Sequence, residues 1–293
     1  MEGLVVKSLS GFYYVKSGEK IYECKAKGAF RNEGISPLTG DTVEFEVLEE
    51  EKGIVRQILN RKNALVRPPV ANVTRAVIVS SFISPTPNHL IIDTLTAICE
   101  HNGIEPVLVF NKSDLGDFSV WEDCYKGVGY KVFVTSAESG EGIDALKSEL
   151  GEGITVFTGN SGVGKSSLLN ELLPNLSLAT GDVSQKLGRG RHTTRHTQLF
   201  ELENGGFVAD TPGFSSLEID KTDLSFKENL ENCFPEFAEC LGKCRFTGCS
   251  HTGEKGCAVC EAVENKKIAK TRHLSYISLY NDLKDLKEWQ IKK

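Results

Sequence analysis

No stretch of the 293 residues approaches the ~20 consecutive apolar residues of a membrane-spanning helix, so no span is expected. The start, Met-Glu-Gly-Leu-Val-Val-Lys, has neither a basic leader nor a long apolar segment, so no secretory signal is expected. No coiled-coil pattern or apolar surface stripe stands out, which leaves a monomer as the expectation. A disulfide framework is also missing. Cys24, Cys99 and Cys124 are scattered, whereas Cys233, Cys240, Cys244, Cys249, Cys257 and Cys260 crowd into 28 residues. A local cluster of that kind, in a chain expected to be intracellular, reads first as a metal site. Excess positive charge is absent too, since the formal net charge is −6. That balance is uneven. Residues 1–66 hold 10 basic and 10 acidic side chains, residues 226–293 hold 12 and 10, and the middle holds 12 and 20. The acidity sits in the middle, and the flanks remain free to carry basic faces toward a nucleic acid.

What is present is an ordinary globular composition, 40% apolar and 25% charged, in a chain long enough for two or three domains. Residues 1–66 alternate as short strands at Leu4–Val6, Gly11–Val15, Lys20–Ala26, Thr42–Leu48 and Gly53–Ile58, separated by turn residues. Five short strands in so little chain predict an OB-like β-barrel. Phe12, Tyr13, Tyr14 and Phe30, with Lys16, Lys25 and Arg31 nearby, could stack on bases and meet phosphates, or half of the aromatics could be core. Residues 67–223 begin at Arg67-Pro68-Pro69 and then alternate strand and helix, which predicts an α/β unit on a parallel sheet. Residues 224–293 read as mostly helical around the cysteine cluster, with helices expected at Leu224–Cys233 and Glu236–Cys240. The fold class expected is therefore multidomain α/β.

Gly159-Asn160-Ser161-Gly162-Val163-Gly164-Lys165-Ser166 fits G-x-x-x-x-G-K-[ST] without substitution. The apolar run Ile154–Phe157 precedes it, and Ser167 opens a helix-compatible stretch. Glycines turn backbone N–H groups toward a phosphate chain at the positive end of a helix. Lys165 would reach the β/γ-phosphates and the Ser166 hydroxyl would ligate Mg²⁺. Asn111-Lys112-Ser113-Asp114, at a strand end, matches N-K-x-D. An Asp114 carboxylate can accept from guanine N1–H and N2–H₂, which adenine does not offer. Asn111 can bond the base or tie loops, and the Lys112 stem can cover the ring. Ser136-Ala137 matches a second base loop. Asp210-Thr211-Pro212-Gly213 matches D-x-x-G, with Asp210 on Mg²⁺ and the Gly213 N–H on the γ-phosphate. Thr193 and Thr194, in the long polar segment 174–195, are candidates for the switch threonine, and spacing does not choose between them.

All five GTPase elements are present, yet N-K-x-D and Ser-Ala precede the phosphate loop. The chain thus reads as a circular permutation, with the segment after Gly213 leading straight into the C-terminal domain. A change at the γ-phosphate would then pull covalently on that domain. Among the cysteines, Cys244-x₄-Cys249-x-His251-x₅-Cys257 supplies four zinc-type donors, while Cys240-x₃-Cys244 and Cys257-x₂-Cys260 have ligand-like spacing as well.

The permuted order, the barrel and the Cys/His cluster together resemble the circularly permuted, small-ribosomal-subunit-dependent GTPases of bacteria, the RsgA/YjeQ family, over nearly the whole chain. The resemblance implies a cytoplasmic factor in late small-subunit assembly that uses GTP/GDP with Mg²⁺ and hydrolyses GTP faster on the subunit. The partners implied are that subunit and its rRNA. Of the competing metal sets the resemblance selects Cys244, Cys249, His251 and Cys257 for one structural Zn²⁺, leaving Cys240 and Cys260 as buried thiols. It also implies a catalytic role for His192. Phe214 stands where many GTPases place a water-orienting Gln, and an imidazole at 192 can hydrogen-bond the attacking water instead. Arg189, Arg191 and Arg195 flank it. Basic residues around the cysteines, Lys243, Arg245, Lys255, Lys266, Lys267, Lys270 and Arg272, could form a face for RNA or simply a solvated face. A second reading is a GTP-dependent RNA-binding scaffold with incidental hydrolysis.

Overall fold

Period-2 alternation decides the N-terminal architecture. The computed structural model describes residues 1–28, 30, 35–66, 68–83, 85–174, 197–210 and 224–285. In strand β4, Thr42–Glu49, Val43 and Phe45 point inward while Thr42, Glu44 and Glu46 face solvent. Strands β3 (Lys20–Ala26) and β5 (Lys52–Ile58) do the same, while β1 (Glu2–Leu9) and β2 (Phe12–Ser17) turn Val5 and Val15 inward without a strict alternation. Pairing runs β1-β2-β3-β5-β4, with β3 parallel to β5, and β1–β4 pairs close the barrel. Val5, Val15, Tyr22, Cys24, Val43, Phe45 and Val55 fill it. Tyr13 and Phe30 pack against this core, so they are half-buried packing residues as well as candidate stackers. A short ribbon of β6 (Ala64–Leu65) and β7 (Val70–Ala71) leads out of the barrel.

The next strands are apolar on both faces, as parallel strands covered by helices must be. These are β8 (Val73–Ser81), β9 (Glu105–Asn111), β10 (Lys131–Thr135), β11 (Ile154–Thr158) and β13 (Phe207–Asp210), with β12 (Gln198–Glu201) antiparallel to β13. The order is β10-β9-β8-β11-β13-β12, all neighbours but the last pair parallel. Ala76, Ile78, Leu108 and Phe110 face one layer, formed by helices α1 (His89–His101) and α2 (Ser119–Val128). Val77, Val79, Val107 and Val109 face the other, formed by α3 (Ile143–Glu149) and α4 (Lys165–Leu172). The phosphate-loop strand β11 thus lies at the middle of the sheet, and the strand carrying Asn111 is two places away.

Residues 224–285 hold α5 (Leu224–Glu228), α6 (Ala258–Glu264) and α7 (Lys270–Lys284). Two expected helices are shorter than their sequence pattern. Leu224–Cys233 divides into α5 and a 3₁₀ turn at Leu230–Cys233, and Glu236–Cys240 yields only a 3₁₀ turn at Pro235–Phe237. Here packing overrides propensity: Phe234 and Phe237 both turn onto the Tyr276 ring, with centroids at 5.2 and 4.9 Å. The units meet at two seams. β1 meets β12 through the pair Lys7–Gln198, and Lys16 on β2 makes an ion pair with Glu201 on β12. Helix α1 contributes Ala97 to the core of the C-terminal domain. Among the described residues no helix is long and apolar enough to cross a membrane.

Candidate functional site

The strand order brings the C-terminal ends of β8, β9, β10, β11 and β13 to one edge of the sheet, where ligands of such folds bind. The loop Gly159–Gly164 leaves β11 there and enters α4, whose first residues are Lys165, Ser166 and Ser167. Two of its glycines are required by both space and dihedral. Gly159 has φ +133°, and a Cβ there would stand 2.1 Å from the Val79 carbonyl oxygen. Gly164 has φ +94°, and its Cβ would stand 2.2 Å from Asn111 Nδ2. Asn160 and Ser161 form the open lip, Gly162 turns with φ +84°, and Val163 anchors the loop in the core. Lys165 is largely buried, and its Nζ donates to the carbonyls of Gly159 (2.8 Å) and Asn160 (2.6 Å). Burial holds its pKa down to about 8.

Asn111 is the hinge pin of the site. It is fully buried, its Nδ2 donates to the Val163 carbonyl (3.0 Å), and its Oδ1 accepts from Thr135 Oγ1 (3.3 Å) and Ala137 N (3.2 Å). Of its two expected roles, tying loops is the one these contacts show. Lys112 sits in the left-handed region, φ +67°, and its Nζ donates to the Gly162 carbonyl (2.9 Å). Its stem therefore spans from the base loop to the phosphate loop. Asp114 is exposed, with Oδ1 accepting from Ser136 Oγ (2.6 Å), which joins N-K-x-D to the Ser136-Ala137 loop. Asp210 ends β13 beside β11 at the same edge of the sheet. His192, Thr193, Thr194, Gly213, Phe214, Arg189, Arg191 and Arg195 lie outside the described residues.

The second cluster is built on α7. Side-chain donor atoms of Cys244, Cys249, His251 and Cys257 lie within 4.8 Å of one another. His251 Nδ1 is 3.5 Å from Cys244 Sγ and 3.4 Å from Cys257 Sγ. His273 Nε2 lies 2.7 Å from the His251 carbonyl oxygen, and the Tyr276 hydroxyl donates to the Ser250 carbonyl (2.9 Å). These bonds hold His251 at φ +59°. Backbone N–H groups of Ala258 and Cys260 point at the sulfurs of Cys244 and Cys257. Burial pushes Cys249 up to about 12 and Cys257 up to about 11, so ionising this set calls for a cation among the sulfurs. Three thiols and one imidazole at this spacing fit a tetrahedral, zinc-type ion. Cys240 and Cys260 stand outside the set, and they are half-buried rather than the buried thiols expected.

Two residues were beyond the reach of the motifs. Glu231, 20 positions before His251, places Oε2 3.1 Å from its Nε2, an outer contact that orients a ligand imidazole. Arg272, grouped with the surface cations by sequence, is wholly buried and bonded to Asp93 and Glu236, so it belongs to no RNA-facing patch. Neither carries a local signal, because both depend on which element packs opposite.

Fold and site together define a guanine-nucleotide-type P-loop protein with permuted motif order, a closed barrel before it and a Cys₃His cluster after it. The RsgA N-terminal domain family matches residues 2–55 and the RsgA GTPase family residues 58–220. The small ribosomal subunit biogenesis GTPase RsgA of Caldanaerobacter subterraneus subsp. tengcongensis is 46% identical over 97% of this chain and 96% of its own. That of Geobacillus sp. is 47% identical over 98% of each. The crystal structure of YjeQ from Thermotoga maritima superposes with a TM-score of 0.85 at 37% identity, covering 98% of this chain and 99% of that one. YloQ, described as a circularly permuted GTPase, gives 0.81 at 35%, covering 98% and 96%. The chain belongs to the RsgA GTPase family, and it is a GTPase.

Proposed function

We propose that this GTPase acts in biogenesis of the small ribosomal subunit, binding rRNA through its barrel and its C-terminal domain, with hydrolysis stimulated by the subunit. The observation that carries the reading is the covalent and packed continuity of three units around one nucleotide edge. β12, next to the catalytic edge, is anchored on the barrel, where Thr39 Oγ1 donates to the Thr197 carbonyl (3.1 Å). Helix α1 carries the metal-cluster domain. A subunit that displaces either flank acts on the chain segments bordering the γ-phosphate position. The names of the relatives support the ribosomal assignment.

In this reading Gly159–Gly164, Lys165, Ser166 and Ser167 hold the phosphates, and Asn111, Lys112, Asp114, Ser136 and Ala137 form the guanine pocket. Ser166 and Asp210 take Mg²⁺, whose part is to neutralise charge on the β- and γ-oxygens. Either Thr193 or Thr194 and the Gly213 N–H close on the γ-phosphate, and His192 orients water. Cys244, Cys249, His251 and Cys257 hold a structural Zn²⁺. The domain divisions 1–66, 67–223 and 224–293 and a cytoplasmic monomer complete the proposal.

The test is co-sedimentation of the chain with purified small subunits under GDP, GTP and a non-hydrolysable analogue, with turnover measured in parallel. Association that depends on the nucleotide, and turnover that rises with subunits, are expected. His192→Ala is expected to keep GTP affinity and lose the stimulated component. No association under any nucleotide sinks the ribosomal assignment; unchanged stimulation in H192A sinks the role of that histidine.

A further inference from the structure

Phe246 occupies the loop between the first two metal-cluster cysteines, Cys244-Arg245-Phe246-Thr247-Gly248-Cys249. Its side chain is 55% exposed, and it is the one aromatic in the exposed class among the described residues. Exposing a phenyl ring forgoes hydrophobic stabilisation. The loop is short and held at both ends by cluster residues. Gly248, with φ +75°, turns it back toward Cys249. The ring is therefore presented on a fixed support, which lowers the entropy lost on binding.

Its surroundings point to one kind of partner. The Arg245 guanidinium lies over the ring face region at 5.4 Å from the centroid. The Arg245 N–H donates to the Gly256 carbonyl (2.9 Å), which brings Lys255 on the opposite limb beside Arg245. Between 243 and 256 the charged side chains are Lys243, Arg245, Lys255 and Glu254. The three cations are exposed, whereas the Glu254 carboxylate is occupied inside the loop by the N–H groups of Ser250 (2.7 Å), Thr252 (2.9 Å) and Gly253 (3.2 Å). An exposed aromatic ring with one guanidinium over it, in a loop whose exposed charges are all cations, matches an unpaired nucleotide: the base offers a π-face and the backbone offers phosphate. An apolar protein knob would be served poorly by a loop that exposes three cations.

We infer that Phe246 is a stacking platform for an unpaired RNA base, with Lys243, Arg245 and Lys255 holding the flanking phosphates. This rests on the ribosomal reading above and narrows it to single-stranded rRNA at the tip of the metal-cluster loop.

The experiment uses the full-length, zinc-loaded chain and a fluorescein-labelled oligouridylate, read by anisotropy over a range of salt, with a duplex RNA as comparison. Phe246→Ala is expected to weaken oligouridylate binding about tenfold and leave the salt slope unchanged. Phe246→Tyr is expected to restore affinity, and Phe246→Leu is not, because area alone does not replace a π-face. Lys255→Ala is expected to reduce the salt slope by about one. Zinc content and melting temperature of each variant confirm that the loop is intact. Wild-type affinity in F246A, equal rescue by F246L, or no binding of oligouridylate by the wild type would each overturn the inference. A photoreactive benzophenone side chain at 246 that crosslinks ribosomal protein and no RNA on small subunits would overturn it as well. These outcomes with nucleotide-dependent co-sedimentation retained reject the platform alone, while loss of co-sedimentation in the wild type rejects the ribosomal reading.

Discussion

Arg272 on α7 donates from Nη1 to Oδ1 of Asp93 on α1 at 2.8 Å, and neither side chain is exposed to solvent. Three more guanidinium hydrogens go to Thr96 Oγ1 (3.1 Å) and to both oxygens of Glu236 (2.7 and 3.1 Å). Phe234, Tyr130 and Tyr125 rings surround the cation at 4.7, 5.6 and 5.9 Å. Burial works against the charge, but Glu236 and Asp93 outweigh it and hold the guanidinium protonated. This is the clamp between the GTPase unit and the metal-cluster domain.

Arg272→Met is therefore expected to destabilise the chain by about 3–5 kcal/mol, because it leaves Asp93 as a buried charge without its cation. Asp93→Asn should cost less than R272M, and the double variant less than the sum of the two. Calorimetric melting of zinc-loaded protein measures each. A melting temperature for R272M equal to wild type would show that the clamp does not hold the domains.

Asp114 offers a change of specificity rather than of stability. Its Oδ1 is bonded to Ser136, and an amide oxygen keeps that bond. Asp114→Asn is expected to fold normally and lose GTP affinity by about 10²–10⁴-fold, because the two guanine N–H donors then face a donor. Xanthine carries a carbonyl where guanine carries N2–H₂, so XTP should gain on GTP by a similar factor. Competition binding with the two nucleotides decides it, and an unchanged ratio counts against Asp114 as the base reader.

Lys165 ties nucleotide binding to pH. In the folded chain its ammonium loses a proton near 8, while an unfolded lysine does so near about 10.4. Between these values the unfolded state binds more protons, so this group's contribution to stability rises with pH. Phosphate favours the cation, so nucleotide binding reverses the shift. Around pH 8 binding should take up on the order of half a proton, and affinity should fall as pH rises further. Titration calorimetry in buffers of different ionisation enthalpy reads the uptake directly, and an absence of uptake would contradict it.

Glu231 acts on the metal cluster through His251 Nε2. Glu231→Gln is expected to weaken zinc binding about 10–100-fold while leaving all four donors in place. Competition with a chromophoric chelator gives the affinity. A stronger chelator that strips the ion should unfold the 224–285 region first, visible as new protease cleavage there. Equal zinc affinity in E231Q would leave the carboxylate without this function.

Much of the site was legible because its chemistry is local. The phosphate loop needs glycines at fixed positions, and those positions turn out to face Val79 and Asn111 at distances no Cβ tolerates. N-K-x-D and Ser-Ala sit at strand ends because only there does backbone leave the sheet, and alternating strands announced the sheet itself. The helix lengths around Phe234 were misread for the opposite reason: a local pattern was outvoted by aromatic packing on Tyr276 from a distant helix.

Sequence by itself determined the nucleotide class, the permuted motif order, the barrel and a Cys/His cluster with several competing donor sets, since each depends on short-range spacing or on alternation along one strand; the structure brings Cys244, Cys249, His251 and Cys257 together. Only the tertiary structure decided that Asn111 is spent on tying loops, that Glu231 backs His251, and that Arg272 is a buried clamp rather than a surface cation. A cation in a helix looks the same in sequence whether water or two carboxylates await it. The difference is made by the element packed opposite, and α1 lies 179 residues away from Arg272 at Asp93.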